Sequence, residues 1–297
     1  LHLSLRRQRQ MCIRDSGYSV DLTPNKDYSL IQETIRLMEE WLKDQGLDPN
    51  PIALHIAGTL GEKGKKYGIG SSGSVILLVI RAMAALYEVD LSPDLLFRLA
   101  AVVLVQRGDN GSMGDLACIA YEDLIYYQSF DRAWLHEVLT SQPLSQVLAL
   151  DWHYQIRVIQ PAISYDFLVG WTKEPAISSD LIRQIKGAIK EDFLKESQTA
   201  VKNLEKGLRE GNQNEIEASI QRADQNLKAL NPLIYTPALK ELQQATDGLS
   251  ACAKSSGAGG GDCGVALSFD PLETQTLIER WTEKKIEIIY QERIGDS

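Results

Sequence analysis

Three glycines in the stretch Tyr67–Ser74, YGIGSSGS, are spaced as G-x-G-x-x-G: Gly68, Gly70 and Gly73. Glycine leaves no Cβ between backbone and ligand, so such a run lets main-chain N–H groups approach a phosphate closely. Ser71, Ser72 and Ser74 add hydroxyls suited to phosphate or Mg²⁺, and Lys65 and Lys66 lie just upstream to neutralise charge. Three readings compete: a nicotinamide-dinucleotide turn with Glu88 or Asp90 as its ribose acid, a triphosphate cradle, and a plain turn in which Ser71 or Ser72 caps the next helix. A dinucleotide fold needs a buried apolar strand running into the first glycine. Here that position holds the polar GEKGKKY, and the apolar run after Gly73 continues as one helix to about Tyr87, so this reading fails. The lysine of G-x-x-x-x-G-K-[ST] is also missing, which excludes a P-loop enzyme. Between cradle and cap, this loop alone leaves the balance even.

A second loop tips it. KSSGAGGGDCG, between a predicted helix and the strand VALSF, carries Gly257, Gly259, Gly260, Gly261 and Gly264. Glycine at that density is costly unless backbone must pass close to something. Two such loops, one in each half, point to a ligand held where the halves meet. Ser112-x-x-Asp115 in SMGD is a capping-box pattern at the start of a helix.

The elements that must position these loops are legible in outline. DYSLIQETIRLMEEWLKDQG repeats its apolar residues at helical spacing and stops at Gly46; PIALHIAGTL alternates as a strand. SPDLLFRLAAVVLVQRG is a helix with Ser92 and Pro93 at its start, and SMGDLACIAYEDLIYY is predicted as another. Further on, YDFLVGWT reads as a strand, and polar helices follow from Ser179 to about Leu230. TPALKELQQATDGLSACA reads as one helix, then come strand VALSF, helix LETQTLIERWTEKK and strand IEIIYQERIG. This order predicts an α+β fold in two domains, 17–163 and 164–297.

Residues 1–16, LHLSLRRQRQMCIRDS, are set apart. The segment is basic, aperiodic and without a signal peptide's apolar centre. Arg6–Ser16 is similar to translated read-through of a transposon-based sequencing adapter, so residues 1–16 are expected to lie outside the fold, without regular structure; a natural basic tail is the alternative. The formal net charge of −9 argues against a nucleic-acid scaffold or an anionic membrane surface, and no apolar run approaches the roughly 20 residues of a membrane span. Cys12, Cys118, Cys252 and Cys263 lack metal or disulfide-framework spacing, which predicts a reducing, cytoplasmic setting.

Taken together, KKYGIGSSGSV resembles the ATP-binding motif of the GHMP small-molecule kinases, and KSSGAGGGDCGVAL is similar to that superfamily's third motif. RGDNGSMGDLAC and FLVGWTKEPAISS narrow the resemblance to the bacterial phosphomevalonate kinase family, over Gly17 to Gly295 and in the family's motif order. The resemblance implies a ribosomal S5 domain 2-like N-terminal domain, here incomplete, and a ferredoxin-like C-terminal domain. It implies transfer of the γ-phosphoryl group of ATP to 5-phosphomevalonate with Mg²⁺, by a monomer or homodimer.

On that resemblance Lys66, Gly68, Gly70, Ser71, Ser72, Gly73 and Ser74 hold the triphosphate, with Ser72 also a Mg²⁺ ligand. Asp115 orients the acceptor, and Ser112, Trp171 and Lys173 stand near the substrate. Ser255, Ser256, Gly257, Gly259 and Gly260 close the site, while Asp262 fixes its own turn. Arg293 has the right charge for a phosphate but no spacing that argues for it. Two departures stand out. The metal-binding Glu that sister kinases place a helix before Asp115 is missing from AAVVLVQRGDN, leaving Asp109 as the candidate. The family's opening strand pair and its lysine are also not seen before Gly17, so the native chain is expected to start upstream and the literal one to be unstable or inactive. Mevalonate kinase, diphosphomevalonate decarboxylase and a non-catalytic ligand-binding relative are the alternatives.

Overall fold

The computed structural model describes residues 2–7, 28–57, 61–62, 65–68, 70–174, 189–257 and 259–295. They fall into two compact units, Leu1–Leu60 with Gly70–Val158, and Gly61–Ile69 with Ile159–Ser297. The division after Val158 lies close to the expected boundary at Ile163, but the second unit also takes Gly61–Ile69, which a linear reading leaves in the first.

In the first unit, β1 (His2–Arg7) pairs antiparallel with β2 (Ile52–Ala57), Arg7 opposite Ile52 and His2 opposite Ala57. This corrects the expectation that residues 1–16 carry no regular structure. Only Leu3 and Leu5 alternate there, too short a run to register as a period over residues 1–16, but an open strand edge can pair with so short a segment. The rest of that segment, 8–16, lies outside the described residues. The short ribbon β3 (Gly61–Glu62) and β4 (Lys65–Lys66) follows in chain order and belongs to the second unit.

Helices α1 (Ser29–Asp44), α2 (Ser71–Leu86), α3 (Pro93–Gln106) and α4 (Gly114–Tyr121) build the first core. α3 is buried from Leu99 through Val105 without a break, as a helix apolar on all sides must be. Ser92 caps it, its Oγ accepting the Leu95 N–H (3.2 Å), and Pro93 occupies the first turn, where no N–H is needed. The predicted helix SMGDLACIAYEDLIYY is cut short. α4 stops at Tyr121, Glu122 turns left-handed (φ 55°), and Ile125–Gln128 forms β5 against β6 (Gln155–Val158). The strand buries Tyr126 and sets Tyr127 edge-on to Phe97 (5.8 Å), the aromatic packing that β-structure favours. α5 (Arg132–Ser141) and α6 (Leu144–Ala149) complete the unit.

Among the described residues, the larger sheet of the second unit is antiparallel and sets Glu287–Ile294, Tyr165–Trp171, Cys263–Ser268 and Ala251–Ser255 side by side in that order. The unit's elements run β7 (Tyr165–Trp171), α7 (Glu191–Glu210), α8 (Gln213–Leu230), α9 (Pro237–Gln244), β8 (Ala251–Ser255), β9 (Cys263–Ser268), α10 (Pro271–Glu283) and β10 (Glu287–Ile294). That strand order and connectivity are ferredoxin-like. β8 was hidden in the predicted helix TPALKELQQATDGLSACA. Gly248 (φ 75°) separates α9 from Ala251, Cys252 and Ala253, which are small and buried on the sheet. Residues 175–188, including the AISS end of the fourth motif and the start of the predicted polar helices, lie outside the described residues.

Arg293, considered for phosphate binding, is engaged here by Asp166 (3.2 Å). Asp166 is buried and also accepts the Thr274 hydroxyl (2.7 Å), which lies 2.9 Å from Ser268 Oγ. Removing that donor from a buried carboxylate is expensive. Thr274→Val is expected to destabilise the protein by about 1–3 kcal/mol, read as a lower urea midpoint at unchanged m.

Candidate active site

α2 opens on a backbone turn instead of a side-chain cap. Its N-cap is Gly70 (φ 78°, ψ 35°), and no side chain accepts a first-turn N–H as a cap. The reading in which Ser72 caps the helix therefore fails; Ser72 is exposed on that turn, and the side chains of Ser71, Lys65 and Lys66 lie outside the described residues. Ser74 donates both its N–H (3.0 Å) and its hydroxyl (3.1 Å) to Gly70 O, so its proton is committed within the helix. The N–H groups of the first turn have no acceptor inside any α-helix, and with the helix dipole they favour an anion.

Asp115 stands on the first turn of α4, whose N-cap is Met113 in a left-handed conformation (φ 64°). Ser112 Oγ accepts the Gly114 N–H (3.3 Å), one residue short of a capping box. The backbone amides of Leu116 and Asp115 itself lie near its carboxyl and favour its charged form. A Cβ added at Gly70 would sit 2.9 Å from Asp115 Oδ2; one at Gly73 would sit 3.0 Å from that oxygen and 2.9 Å from Leu116 Cδ2. The starts of α2 and α4 thus meet across two glycines, and the glycines are what let the carboxylate in.

Water reaches Asp115, yet the two helix ends strip enough hydration to push its pKa up. The amides of Leu116 and Asp115 oppose this, and the charge of Asp109 adds to it. Cys118, one turn further along α4, is raised by desolvation and then by Asp115. The loop before α4 is pinned by side chains the sequence did not single out. Tyr127 Oη donates to Ser112 O (2.9 Å), and the Arg132 guanidinium donates to Gly111 O. Asp109 is exposed, with Oδ1 accepting the Gly111 N–H (2.6 Å).

The second unit holds the remaining candidates. Gly68 (φ 70°) lies where any Cβ would overlap the Asp262 carboxyl. Asp262 (φ 53°) receives the Thr172 N–H and hydroxyl on its carbonyl (2.8 Å each) and donates its N–H to Glu174 O (2.8 Å), so its backbone does fix the turn. Its side chain, however, packs on the first glycine of the triad, which turn chemistry alone did not reveal. Cys263 donates its thiol to Tyr67 O (3.0 Å), and burial, with Asp262 nearby, pushes its pKa up to about 12. Trp171 is 2 % exposed and meets Tyr67 edge-on at 4.8 Å. Lys173 stands over that indole (5.7 Å) and is ion-paired with Glu287 (2.7 Å).

In the glycine-rich loop, Ser255 is buried and its hydroxyl donates to Gly257 O (3.3 Å). Ser256 is exposed, with its N–H (3.0 Å) and hydroxyl (2.9 Å) both on Cys263 O. Gly259 (φ 80°), Gly260 (φ 89°) and Gly261 (φ 138°) take conformations that residues with a side chain rarely adopt, and Gly257 is open to solvent. Among the described residues no three His, Cys, Asp or Glu side chains converge as a metal cage. The hard oxygens of Ser72 and Asp115 nevertheless suit Mg²⁺, which takes few protein ligands and completes its shell with phosphate and water.

Residues 29–123 match the GHMP kinases N terminal domain. The phosphomevalonate kinase of Streptomyces sp. (strain CL190) is 31% identical over 248 residues, 80% of this chain, and the chain spans 66% of that protein's length. The Streptococcus pneumoniae phosphomevalonate kinase in complex with phosphomevalonate and AMPPNP is 47% identical with a TM-score of 0.92, covering 98% of this chain and 89% of that one. A second crystal structure of the Streptococcus pneumoniae enzyme gives 50% identity and a TM-score of 0.87, over 91% of this chain and 84% of that one.

Proposed function

The chain belongs to the phosphomevalonate kinase family of the GHMP kinases, and we propose that it transfers the γ-phosphoryl group of ATP to 5-phosphomevalonate, giving 5-diphosphomevalonate and ADP. The observation that carries this reading is the meeting of the α2 N-terminus with Asp115 across Gly70 and Gly73, in a chain of this family. An oxygen of the acceptor phosphate forms the new P–O bond, the bond from γ-phosphorus to the β,γ-bridging oxygen breaks, and its electron pair leaves with ADP. The charge that shifts during this exchange is met by groups fixed in advance, which is the main source of catalysis in phosphoryl transfer.

Each part of the chain has a place in that exchange. The first-turn N–H groups of α2 and the backbone of Gly68, Gly70, Ser71 and Gly73 receive the triphosphate, with Lys66 neutralising charge. Asp115 orients the reactants and takes no proton, because a phosphate monoester with a second pKa near 6 is already ionised. Mg²⁺, held by Ser72 and Asp115 with Asp109 alongside, would neutralise the β- and γ-phosphates. Ser112 presents the acceptor. Trp171 is too buried to give a face to substrate, so it acts by seating Tyr67 and Lys173; Lys173 must exchange Glu287 for the 5-phosphate. Ser255, Ser256, Gly257, Gly259 and Gly260 cover the transferring group.

The test is ADP release by the full-length protein with phosphomevalonate, mevalonate and diphosphomevalonate as separate substrates. Turnover is expected with phosphomevalonate alone. Turnover of either other substrate instead assigns a sister reaction, and ATP binding without turnover of any replaces the kinase with a ligand-binding relative.

A further inference from the structure

The glycine-rich loop between β8 and β9 is gripped at both ends by two consecutive residues. Where the chain leaves β8, Tyr235 Oη accepts the Ser255 N–H (3.3 Å). Where it returns, Ile234 O accepts the Gly260 N–H (2.6 Å), and Ile234 fills the space a side chain at Gly259 would need. The carbonyl of the same Ser255 accepts the Lys254 ammonium. Both backbone groups of Ser255 are therefore held by side chains.

Behind them stands Asp224 of α8, 2 % exposed. Its Oδ2 accepts from Gln243 Nε2 (2.6 Å) and Lys228 Nζ (2.8 Å); its Oδ1 is buried without a hydrogen-bond partner among the described residues. Burial pushes the Tyr235 phenol up to about 12, and the nearby charge of Asp224 adds to that. Burial pushes the Lys254 ammonium down, and Asp224 opposes it. An apolar residue would fill the place of Asp224 at less cost. What the carboxylate adds is an anchor for Lys228, whose ammonium it holds over the ring of Tyr235 (4.9 Å).

We propose that Asp224, Tyr235 and Lys254 are positioning residues for phosphoryl transfer, fixing the two ends of the glycine-rich loop so that its N–H groups stand ready before substrate binds. This rests on the reading that the loop covers the transferring group. Tyr235→Phe removes only the acceptor of the Ser255 N–H, and Asp224→Asn removes only charge, so both keep the shape of the core.

Hydrogen exchange on the full-length protein reads the loop without any turnover. In either variant the Ser255 amide is expected to exchange about fivefold faster or more, with β9 unchanged. In turnover, kcat is expected to fall about 10-fold at an ATP KM within about twofold of the parent. The double variant should lose less than the product of the two single losses, since the residues act on one peptide. Unchanged exchange at Ser255, or faster exchange with kcat retained, overturns the proposal. Should the parent protein fail to turn over phosphomevalonate, the functional reading falls separately; the positioning claim is then decided by exchange alone, and unchanged Ser255 protection overturns it.

Discussion

Replacing Asp115 with asparagine is expected to lower kcat by about 100- to 1,000-fold while leaving the fold at least as stable as before. The two effects have one origin. Asp115 has been partly desolvated by the ends of α2 and α4, which raises its pKa in the folded chain above its unfolded value. The folded state then holds the proton more tightly than the unfolded state does. The stability this contributes is complete below the ordinary carboxylate pKa and is lost as pH rises through the raised value. At neutral pH the charged form is therefore a burden on the fold. Asparagine keeps the shape but not the charge. Urea midpoints of variant and parent should differ in the variant's favour at pH 7 and converge below about pH 4. A variant that loses stability at pH 7 and keeps kcat would show Asp115 to be a helix cap and nothing more.

Gly73→Ala separates stability from catalysis in a second way. Gly73 lies inside the first turn of α2 without a positive φ, and alanine at an ordinary helix position gains about 1 kcal/mol over glycine. Here the new methyl would sit 3.0 Å from Asp115 Oδ2 and 2.9 Å from Leu116 Cδ2. The leucine can turn its branch aside, but the carboxylate must move. The expected result is a urea midpoint near that of the parent, with kcat about 10- to 100-fold lower, the loss that a displacement of about 1 Å can bring. Gly70→Ala meets the same oxygen and must also adopt φ 78°, adding about 1–2 kcal/mol of backbone strain. Full activity in Gly73→Ala would mean that the glycine serves helix packing, not the approach of Asp115.

The parts of this chain that were legible in the sequence are those governed by local physics. α1, α2, α3, α10 and the strands β2, β7, β9 and β10 follow from periodicity, and Ser92 with Pro93 marks the start of α3 as chemistry requires. Two strands were misread as helix, and both for the same reason. Ala251–Ser255 and Ile125–Gln128 are short runs next to real helices, and only pairing with β9 and β6 makes them strands. Pairing is a long-range event with no local signature. The glycines of Tyr67–Ser74 were legible as a place of close approach, but not what approaches. Asp115 comes to Gly70 and Gly73 from another helix, and Asp262 comes to Gly68 from far along the chain. Lys173 and Arg293 show the converse limit, since a sequence gives their charge but not Glu287 and Asp166, which engage them.

The measurement that bears most directly on the assigned reaction is ³¹P NMR of the full-length protein with ATP, Mg²⁺ and 5-phosphomevalonate. As ATP gives way to ADP, the substrate's monoester resonance should disappear and two mutually coupled doublets should replace it, the signature of a new P–O–P linkage. Inorganic phosphate accumulating beside an unchanged monoester signal would contradict the account, because the cradle at Gly70–Gly73 and Asp115 would then be delivering the phosphoryl group to water.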